Sequence, residues 1–295
     1  MNNKKISNLA NEKVLEFYRS LPFNYYSDIN QQVESVKNGM ANISANGSLD
    51  EKLKNANRII DVGCGAGWLC NSISYLYKNK EVTGIDFNSV AVDRAKEVAK
   101  FMKLNTQFHV EDLFNFKPSS RFDLVLSIGV LMCTNDCMEA IRAVIKNMLS
   151  EKGTIYIGLY HEHGRKPFLN HFKELQKKGY SNNELLNEYS KIHTSLKDKT
   201  HLESWFRDQV LHPHETLHTL KEIMPLLKSE KMVLTSTSIN KFQNIKYSKQ
   251  SGYDDNQIKE IFQQEERMKE ASEKALIDKR YYPGFFTFFA KKEEN

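Results

Sequence analysis

A glycine-rich turn is the stretch of this sequence whose residue types and spacing point most directly to chemistry. The segment DVGCGAGW (61–68) begins with the last two residues of the apolar run RIIDV and ends with the first residue of the helix-like segment WLCNSISYLYKN. Gly63, Gly65 and Gly67 allow the backbone to turn sharply and to approach a ligand closely. A P-loop would end in G-K-S/T and a dinucleotide loop would read G-x-G-x-x-G, and this segment fits neither. It is either a ligand-binding turn or a plain connection between strand and helix.

Two acids follow the next two apolar runs of the sequence, and a further apolar run comes after them. Asp86 ends the run EVTGID, and Asp112 follows the run QFHVE. In doubly wound sheets, an acid at the end of the second strand hydrogen-bonds ribose hydroxyls. The segment FDLVLSIGVLMC (122–133) then supplies another strand and the turn after it.

Together these segments resemble the motifs of the class I S-adenosylmethionine-dependent methyltransferases, over roughly residues 58–160. The resemblance implies S-adenosyl-L-methionine as cofactor, with Asp86 on the ribose and Asp112 at the adenine amino group. The cofactor contacts that it implies are Asp61, Gly63, Cys64, Gly65, Gly67, Asp86, Phe87, Asp112, Leu113, Ser127 and Tyr26. The chain departs from the family at Met132 and Cys133, where many members carry two histidines that face the substrate.

The elements that must position these residues alternate between apolar runs and amphipathic helices up to residue 160. This rhythm predicts an α/β fold, a doubly wound and mostly parallel seven-stranded sheet with helical cap insertions. About seventy residues then pass before the run MVLTSTSI, and a charged helix precedes the last run, FFTFFAKK. We expect an N-terminal helical lid (1–50), a cofactor-binding core (51–160), a cap for the acceptor (161–230) and the last core strands with an inserted helix (231–295).

The segment LYHEHGRKPF leaves the fifth strand at the edge where the acceptor should bind. His161 and His163 are candidate catalytic bases, and Arg165 could hold an acidic group of the acceptor. The plain alternative is a solvated basic loop.

Two more segments offer acceptor contacts. In RDQVLHPHETLH, His214 is a candidate base, and Arg207, His212 and His218 are candidates for binding the acceptor. Near the N-terminus, the tyrosines of LPFNYY could close over the site, with Tyr25 on the acceptor and Tyr26 on the cofactor. The alternatives are histidines hydrogen-bonded inside the cap and aromatic packing of N-terminal helices.

The pentapeptide HETLH also matches H-E-x-x-H, the zinc pattern of metalloproteases. Pro213 suits the first turn of a helix, so we expect a helix from His212 to Met224 with His214 and His218 on one face. A protease would need a third ligand and another scaffold, whereas this sheet is committed to a different cofactor. We therefore expect no metal, with a metal that orients the acceptor as the alternative.

The charge, the cysteines and the apolar runs of the sequence limit which partners and which compartment we expect. The net charge is +5 with the lysines dispersed, so charge gives weak support for nucleic acid and the run SIGV lacks the prolines of enzymes that methylate DNA bases. The four cysteines form no C-x-x-C pair, which fits a reducing compartment. Arsenite methyltransferases place their cysteines differently and use more of them, so we expect no arsenic site. No apolar run is long enough for a membrane span, and no secretory signal is evident. We expect a cytoplasmic protein.

The sequence thus predicts an enzyme, an S-adenosylmethionine-dependent methyltransferase whose acceptor is a small molecule, acidic or sugar-like. The long cap favours an enclosed pocket over an open groove. Two alternatives remain: a methyltransferase that acts on RNA, such as a tRNA base, and a cofactor-binding protein without catalysis. The methylated atom and the oligomeric state stay open.

Overall fold

The computed structural model describes residues 12–293. Residues 1–11 of the predicted lid and residues 294–295 of the last predicted unit lie outside the described residues. The strands are β1 (Arg58–Val62), β2 (Glu81–Asp86), β3 (Gln107–Val110), β4 (Phe122–Ile128), β5 (Leu149–Tyr160), β6 (Met232–Thr237), β7 (Tyr247–Ser248), β8 (Gly252–Tyr253) and β9 (Phe285–Lys292).

The helices alternate with the strands up to β5 and then follow one another. They are α1 (described over 12–20), α2 (Ile29–Ala45), α3 (Gly47–Asn55), α4 (Trp68–Leu76), α5 (Ser89–Phe101), α6 (Cys137–Met148), α7 (Glu162–Lys177), α8 (Asn182–Ile192), α9 (Lys199–Val210), α10 (Leu220–Ser229) and α11 (Asp255–Ile277). Among the described residues, none of these helices combines the length and the apolar character that a membrane span requires.

A seven-stranded sheet in the order β3-β2-β1-β4-β5-β9-β6 organises the chain. Strands β1 to β5 pair in parallel, whereas β9 runs antiparallel to both β5 and β6. The structure confirms the predicted doubly wound, mostly parallel sheet. The strand order reverses between β1 and β4, and ligands of such sheets bind outside the carboxyl ends of the strands at this point.

Apolar side chains cover both faces of the sheet. One cluster joins β4, β5 and β9 to α6 and α10, and another joins β1 and β2 to α3, α4 and α5. A third, smaller cluster lies away from the sheet, where α7, α8 and α9 pack around Phe168, Phe172 and Tyr189. The segments after β5 therefore have an apolar core of their own.

The predicted helix from His212 to Met224 is wrong. Residues 212–218 are not helical: the chain bends at Pro213, His218 bridges to His161 after β5, and α10 begins only at Leu220. The N–H groups of Thr216 and His218 donate to the carbonyls of Met132 (2.9 Å) and Tyr160 (3.0 Å), so the backbone is already paired across the fold. Thr219 caps α10 in a capping box with Glu222.

Candidate active site

The glycine turn between β1 and α4 is packed at two of its glycines and open at the third. All three have positive φ, +78° at Gly63, +52° at Gly65 and +77° at Gly67. A Cβ on Gly63 would lie 2.4 Å from Val130, and one on Gly67 would lie 2.6 Å from Ala95. At Gly65 nothing lies within 4 Å of that position. Gly65 therefore faces the space where a ligand can approach the backbone.

Asp86 joins the end of β2 to this turn. Its carboxylate accepts the N–H of Gly65 (2.9 Å) and the N–H of Asn88 (2.8 Å). A carboxylate has about four lone-pair positions, so two hydroxyl donors can still bind. Asp61 lies buried under the turn, and burial raises its pKa to about 7, although the Cys70 thiol 3.7 Å away favours the carboxylate.

The other predicted cofactor residues divide by exposure. Asp112 lies exposed after β3, and its carboxylate accepts the N–H of Phe114 (3.0 Å), while Leu113 packs at the edge of the core. Phe87 is partly buried directly after Asp86.

Two side chains predicted to contact the cofactor are instead turned into the protein. Ser127 is fully buried and donates its hydroxyl to the Val62 carbonyl (3.0 Å), which ties β4 to β1. The buried Cys64 thiol faces Gly84 of β2, where a Cβ would lie 2.8 Å from its sulfur. Only the backbone of Cys64 is left to contact a ligand.

The tyrosines of LPFNYY both contact protein groups. Tyr25 lies under the guanidinium of Arg94 (4.8 Å), and Tyr26 stacks on His201 with ring centroids 4.1 Å apart. These contacts anchor the N-terminal segment to α5 and α9. Both rings are partly exposed, so contacts of Tyr25 with the acceptor and of Tyr26 with the cofactor remain predictions.

Tyr18 of α1 is the N-terminal tyrosine that reaches the site. Its carbonyl accepts a hydrogen bond from the Asn88 side chain (3.0 Å), and its hydroxyl donates to the carboxylate of Asp208 in α9. Tyr18 thus spans from the residue beside Asp86 to the segments after β5.

Asp208 is the centre of a buried polar network. Its second oxygen accepts hydrogen bonds from Tyr160 (3.4 Å) at the end of β5 and from Gln209 (2.6 Å). Tyr281, after α11, donates to the side-chain amide oxygen of Gln209 (3.0 Å). Burial raises the pKa of Asp208, which the hydrogen bonds and Arg165 oppose. Burial, together with Asp208, also raises the pKa of the Cys133 thiol well above its usual range, so this thiol stays protonated.

Arg165 lies inside the same network and cannot serve as predicted. It is fully buried, and it binds Glu215 with two hydrogen bonds of 3.1 and 3.2 Å and Gln209 with two more. Its guanidinium also lies 4.1 Å from the centroid of the Tyr160 ring. Since Glu215 already neutralises its charge, Arg165 is not available to an acidic acceptor.

His161 is likewise structural. It is fully buried, its Nε2 lies 3.0 Å from the Glu265 carboxylate, and its Nδ1 accepts backbone N–H groups at the start of α7. Both ring nitrogens are therefore engaged within the protein. His163 packs beside it, with ring centroids 5.5 Å apart, at the same helix start.

The segment 212–218 presents its histidines in three ways. His212 packs against Tyr18 (ring centroids 5.5 Å), and burial lowers its pKa to about 4. His214 lies 3.0 Å from the Thr134 carbonyl through Nε2, and His218 lies 2.8 Å from the Thr216 hydroxyl. Within residues 12–293, no three His, Cys, Asp or Glu side chains are placed to hold a metal ion.

Arg207 also differs from its prediction. Its guanidinium donates to the Phe17 carbonyl (2.8 Å) and to the Ser20 hydroxyl (2.7 Å), and it lies over the Phe17 ring. Arg207 therefore holds α1 in place rather than an acceptor.

A cavity of about 520 Å³ opens between α7 and residues 209–217. Its lining is Leu169, Phe172, Lys173, Gln176, Gln209, Val210, Leu211, His212, Pro213, His214, Glu215 and Leu217. Gln209 and Glu215 belong to the buried network, and His212 contacts Tyr18. The cavity therefore adjoins the network at its inner end. Sequence reasoning missed Tyr18, Tyr160, Asp208 and Tyr281, since no local motif marks them.

A seven-stranded doubly wound sheet with a glycine turn at its switch point defines the class I S-adenosylmethionine-dependent methyltransferases. The chain belongs to the methyltransferase-domain family, whose profile matches residues 53–288. Its cofactor is S-adenosyl-L-methionine.

Individual relatives match over less of their length. Malonyl-(acyl-carrier protein) O-methyltransferase of Bacillus cereus is 23% identical over 107 residues, 36% of this chain and 38% of that protein. Ubiquinone biosynthesis O-methyltransferase of Pelagibacter ubique is 31% identical over 110 residues, 37% of this chain and 44% of that protein. The chain thus matches about two fifths of the length of these curated relatives.

A solved structure shares the fold over its whole length. The plantazolicin methyltransferase BpumL, in complex with SAH, superposes with a TM-score of 0.50 at 17% identity, covering 99% of each chain.

The site fits this cofactor. Gly65 leaves open space beside the backbone, and Asp86 keeps lone pairs free at the end of β2. The residues that would hold it are Asp61, Gly63, Gly65, Gly67, Asp86, Asp112 and Leu113, together with the backbone of Cys64.

Proposed function

We propose that this chain transfers the methyl group of S-adenosyl-L-methionine to a small-molecule acceptor at the carboxyl ends of β4 and β5. The observation that carries the proposal is the cavity of about 520 Å³ that adjoins the Tyr18–Asp208 network. Small-molecule sites typically occupy about 300–1,000 Å³. Tyr18 links this network to Asn88, beside the cofactor residue Asp86.

The bound cofactor supplies an electrophilic methyl group, so the protein must orient the acceptor and take up its proton. An acceptor O–H or N–H that donates to the Tyr18 hydroxyl would lose its proton as Tyr18 passes its own to Asp208. Burial raises the pKa of Asp208, which makes it a stronger base than an ordinary aspartate. Burial also raises the pKa of Tyr18 well above its usual range, so Tyr18 acts as a relay and stays protonated between turnovers.

The cavity histidines have lesser roles in this proposal. His212, whose pKa is lowered to about 4, is a weak base, and we assign it a hydrogen bond to the acceptor. His214 lines the same wall. The partly apolar lining, with Lys173 as its one lysine, supports a small acceptor over RNA, which would call for a basic groove.

The test incubates the protein with S-adenosylmethionine labelled on its methyl group and a fractionated cell lysate, with and without a chelator. We expect label in the small-metabolite fraction, unchanged by the chelator. Tyr18→Phe should lower the labelling rate by about 10²-fold, the usual weight of a proton-transfer group. Tyr180→Phe, on an exposed ring, is the matched control.

Binding of S-adenosylhomocysteine, measured by calorimetry, should stay within about twofold of wild type in Tyr18→Phe, because the contact with Asn88 uses the backbone carbonyl. Label in RNA would overturn the small-molecule acceptor. Cofactor binding without label in any fraction would favour a protein without catalysis, and loss of transfer with chelator would revive the metal alternative.

A further inference from the structure

Three lysines of α7 differ in their partners. Lys166 pairs with Glu162 at 3.4 Å, and Lys177 pairs with Glu174 at 2.6 Å. Lys173, between them, lines the cavity and is exposed. Within residues 12–293, no carboxylate forms a salt bridge with Lys173.

The other charged groups of the inner lining do not offset this lysine. Glu215 is neutralised by Arg165 at 3.1 Å, and burial lowers the pKa of His212 to about 4, so that its ring is neutral near pH 7. Lys173 is therefore an uncompensated positive charge at the mouth of the cavity. Gln176, one turn further along α7, adds an amide on the same helix face.

The walls between mouth and inner end are mostly apolar. They consist of Leu169, Phe172, Val210, Leu211, Pro213 and Leu217. At the inner end, His212 accepts the His214 N–H on Nδ1 (3.2 Å), which places its own proton on Nε2. This Nε2 is buried and has no hydrogen-bond partner among the described residues. A buried donor without a partner costs free energy, and an acceptor atom of a ligand can pair with it when the ring turns towards the cavity that His212 lines.

We propose that the cavity takes an anionic amphiphile. Its carboxylate, sulfonate or phosphate binds Lys173 and Gln176, its apolar body lies along the walls, and its nucleophilic group meets His212 at the inner end. That this ligand is the methyl acceptor rests on the function proposed above, whereas its binding does not.

The test uses two fluorescent probes that share one apolar body. The anionic probe is 8-anilino-1-naphthalenesulfonate, and the neutral probe is N-phenyl-1-naphthylamine, which lacks the sulfonate. Lys173→Gln should raise the dissociation constant of the anionic probe about fivefold or more and leave the neutral probe within about twofold. Lys166→Gln, with the same charge change on the same helix outside the lining, should leave both within about twofold.

Leu169→Trp, which fills the cavity, should weaken both probes and so assigns them to this site. The proposal is overturned if Lys173→Gln and Lys166→Gln act alike, if Lys173→Gln weakens both probes equally, or if Leu169→Trp changes neither.

Labelling separates this proposal from the methyl transfer itself. If the probes behave as expected but no fraction gains label, only the proposed function fails. If label appears in a product and Lys173→Gln labels it as fast as wild type at low acceptor concentration, only the anionic acceptor fails. The anionic probe should also compete with labelling in the wild type.

Discussion

The sheet that carries the glycine turn and the segments after β5 bury different kinds of groups. Strands β1, β4 and β5 are held mainly by apolar side chains with almost no exposed surface. The segments after β5 have a smaller apolar cluster, and they also bury four charged or polar side chains, Arg165, Asp208, Glu265 and His161. Each of these polar groups has partners from distant parts of the chain.

This difference indicates which substitutions should destabilise each region. Apolar burial is non-directional, so the sheet tolerates changes that keep its volume. A buried ion pair adds little net stability, but removal of one partner leaves an uncompensated charge in a low-dielectric site. We therefore expect the segments after β5 to lose most stability when a buried charge is removed. The sheet should lose most stability when an added atom takes space that is already filled.

The largest effect should follow from breaking the buried pair. Arg165→Met leaves the Glu215 carboxylate buried without its partner, and we expect a loss of about 3–5 kcal/mol in the free energy of unfolding. Urea denaturation measures it. The surface pair Lys177–Glu174 is the control, since Lys177→Gln should change stability by less than about 1 kcal/mol. Equal effects at the two sites would remove the contrast between the regions.

In the sheet region, the glycine turn has no room for a larger side chain at Gly63. Gly63→Ala combines a positive φ of +78° with a Cβ 2.4 Å from Val130, and we expect a loss of about 3 kcal/mol. Gly179→Ala has a similar φ of +86° in open space and should lose only about 1 kcal/mol. Thermal and urea unfolding compare the two variants. If their losses match, backbone strain alone limits the turn.

The two regions should also respond to pH with opposite signs. Burial lowers the pKa of His201 and His212 from 6.5 to about 4, so between these values the unfolded state binds more protons and stability falls as pH falls. Burial raises the pKa of Asp61 from 3.8 to about 7, so the folded state binds more protons there and stability falls as pH rises. Each group contributes at most about 1.4 kcal/mol per pH unit.

Variants separate these contributions. Asp61→Asn should make stability rise more steeply from pH 5 to pH 6, and His212→Gln should make it rise less steeply, both followed by urea unfolding. Slopes that change in the same direction would show that one of the two assignments is wrong.

The smallest effect concerns where α10 begins. Thr219→Ala removes the cap and should lower the free energy of unfolding by about 1 kcal/mol. Pro213 lies six residues earlier, at an exposed bend, and Pro213→Ala should change the free energy of unfolding by less than about 0.5 kcal/mol. A larger loss of stability in Pro213→Ala than in Thr219→Ala would indicate that the helix begins in the HETLH segment.

The fold and the meeting of the glycine turn with Asp86 could be predicted because their signals are local. A strand, a glycine turn and a helix follow one another within a few residues, and parallel strands bring their carboxyl ends to one edge of the sheet. Asp61, Gly65 and Asp86 therefore meet at one crevice wherever such a sheet forms.

Tertiary structure alone decided the acceptor side. Tyr18 and Asp208 are 190 positions apart, so no spacing marks them as partners. His161 and Arg165 have the residue types of a binding loop, yet burial and their partners Glu265 and Glu215 make them structural. In HETLH, hydrogen bonds to Tyr160 at the end of β5 and to Met132 outweigh the local helix signal, because pairing across the fold satisfies backbone groups that a helix would have paired within itself.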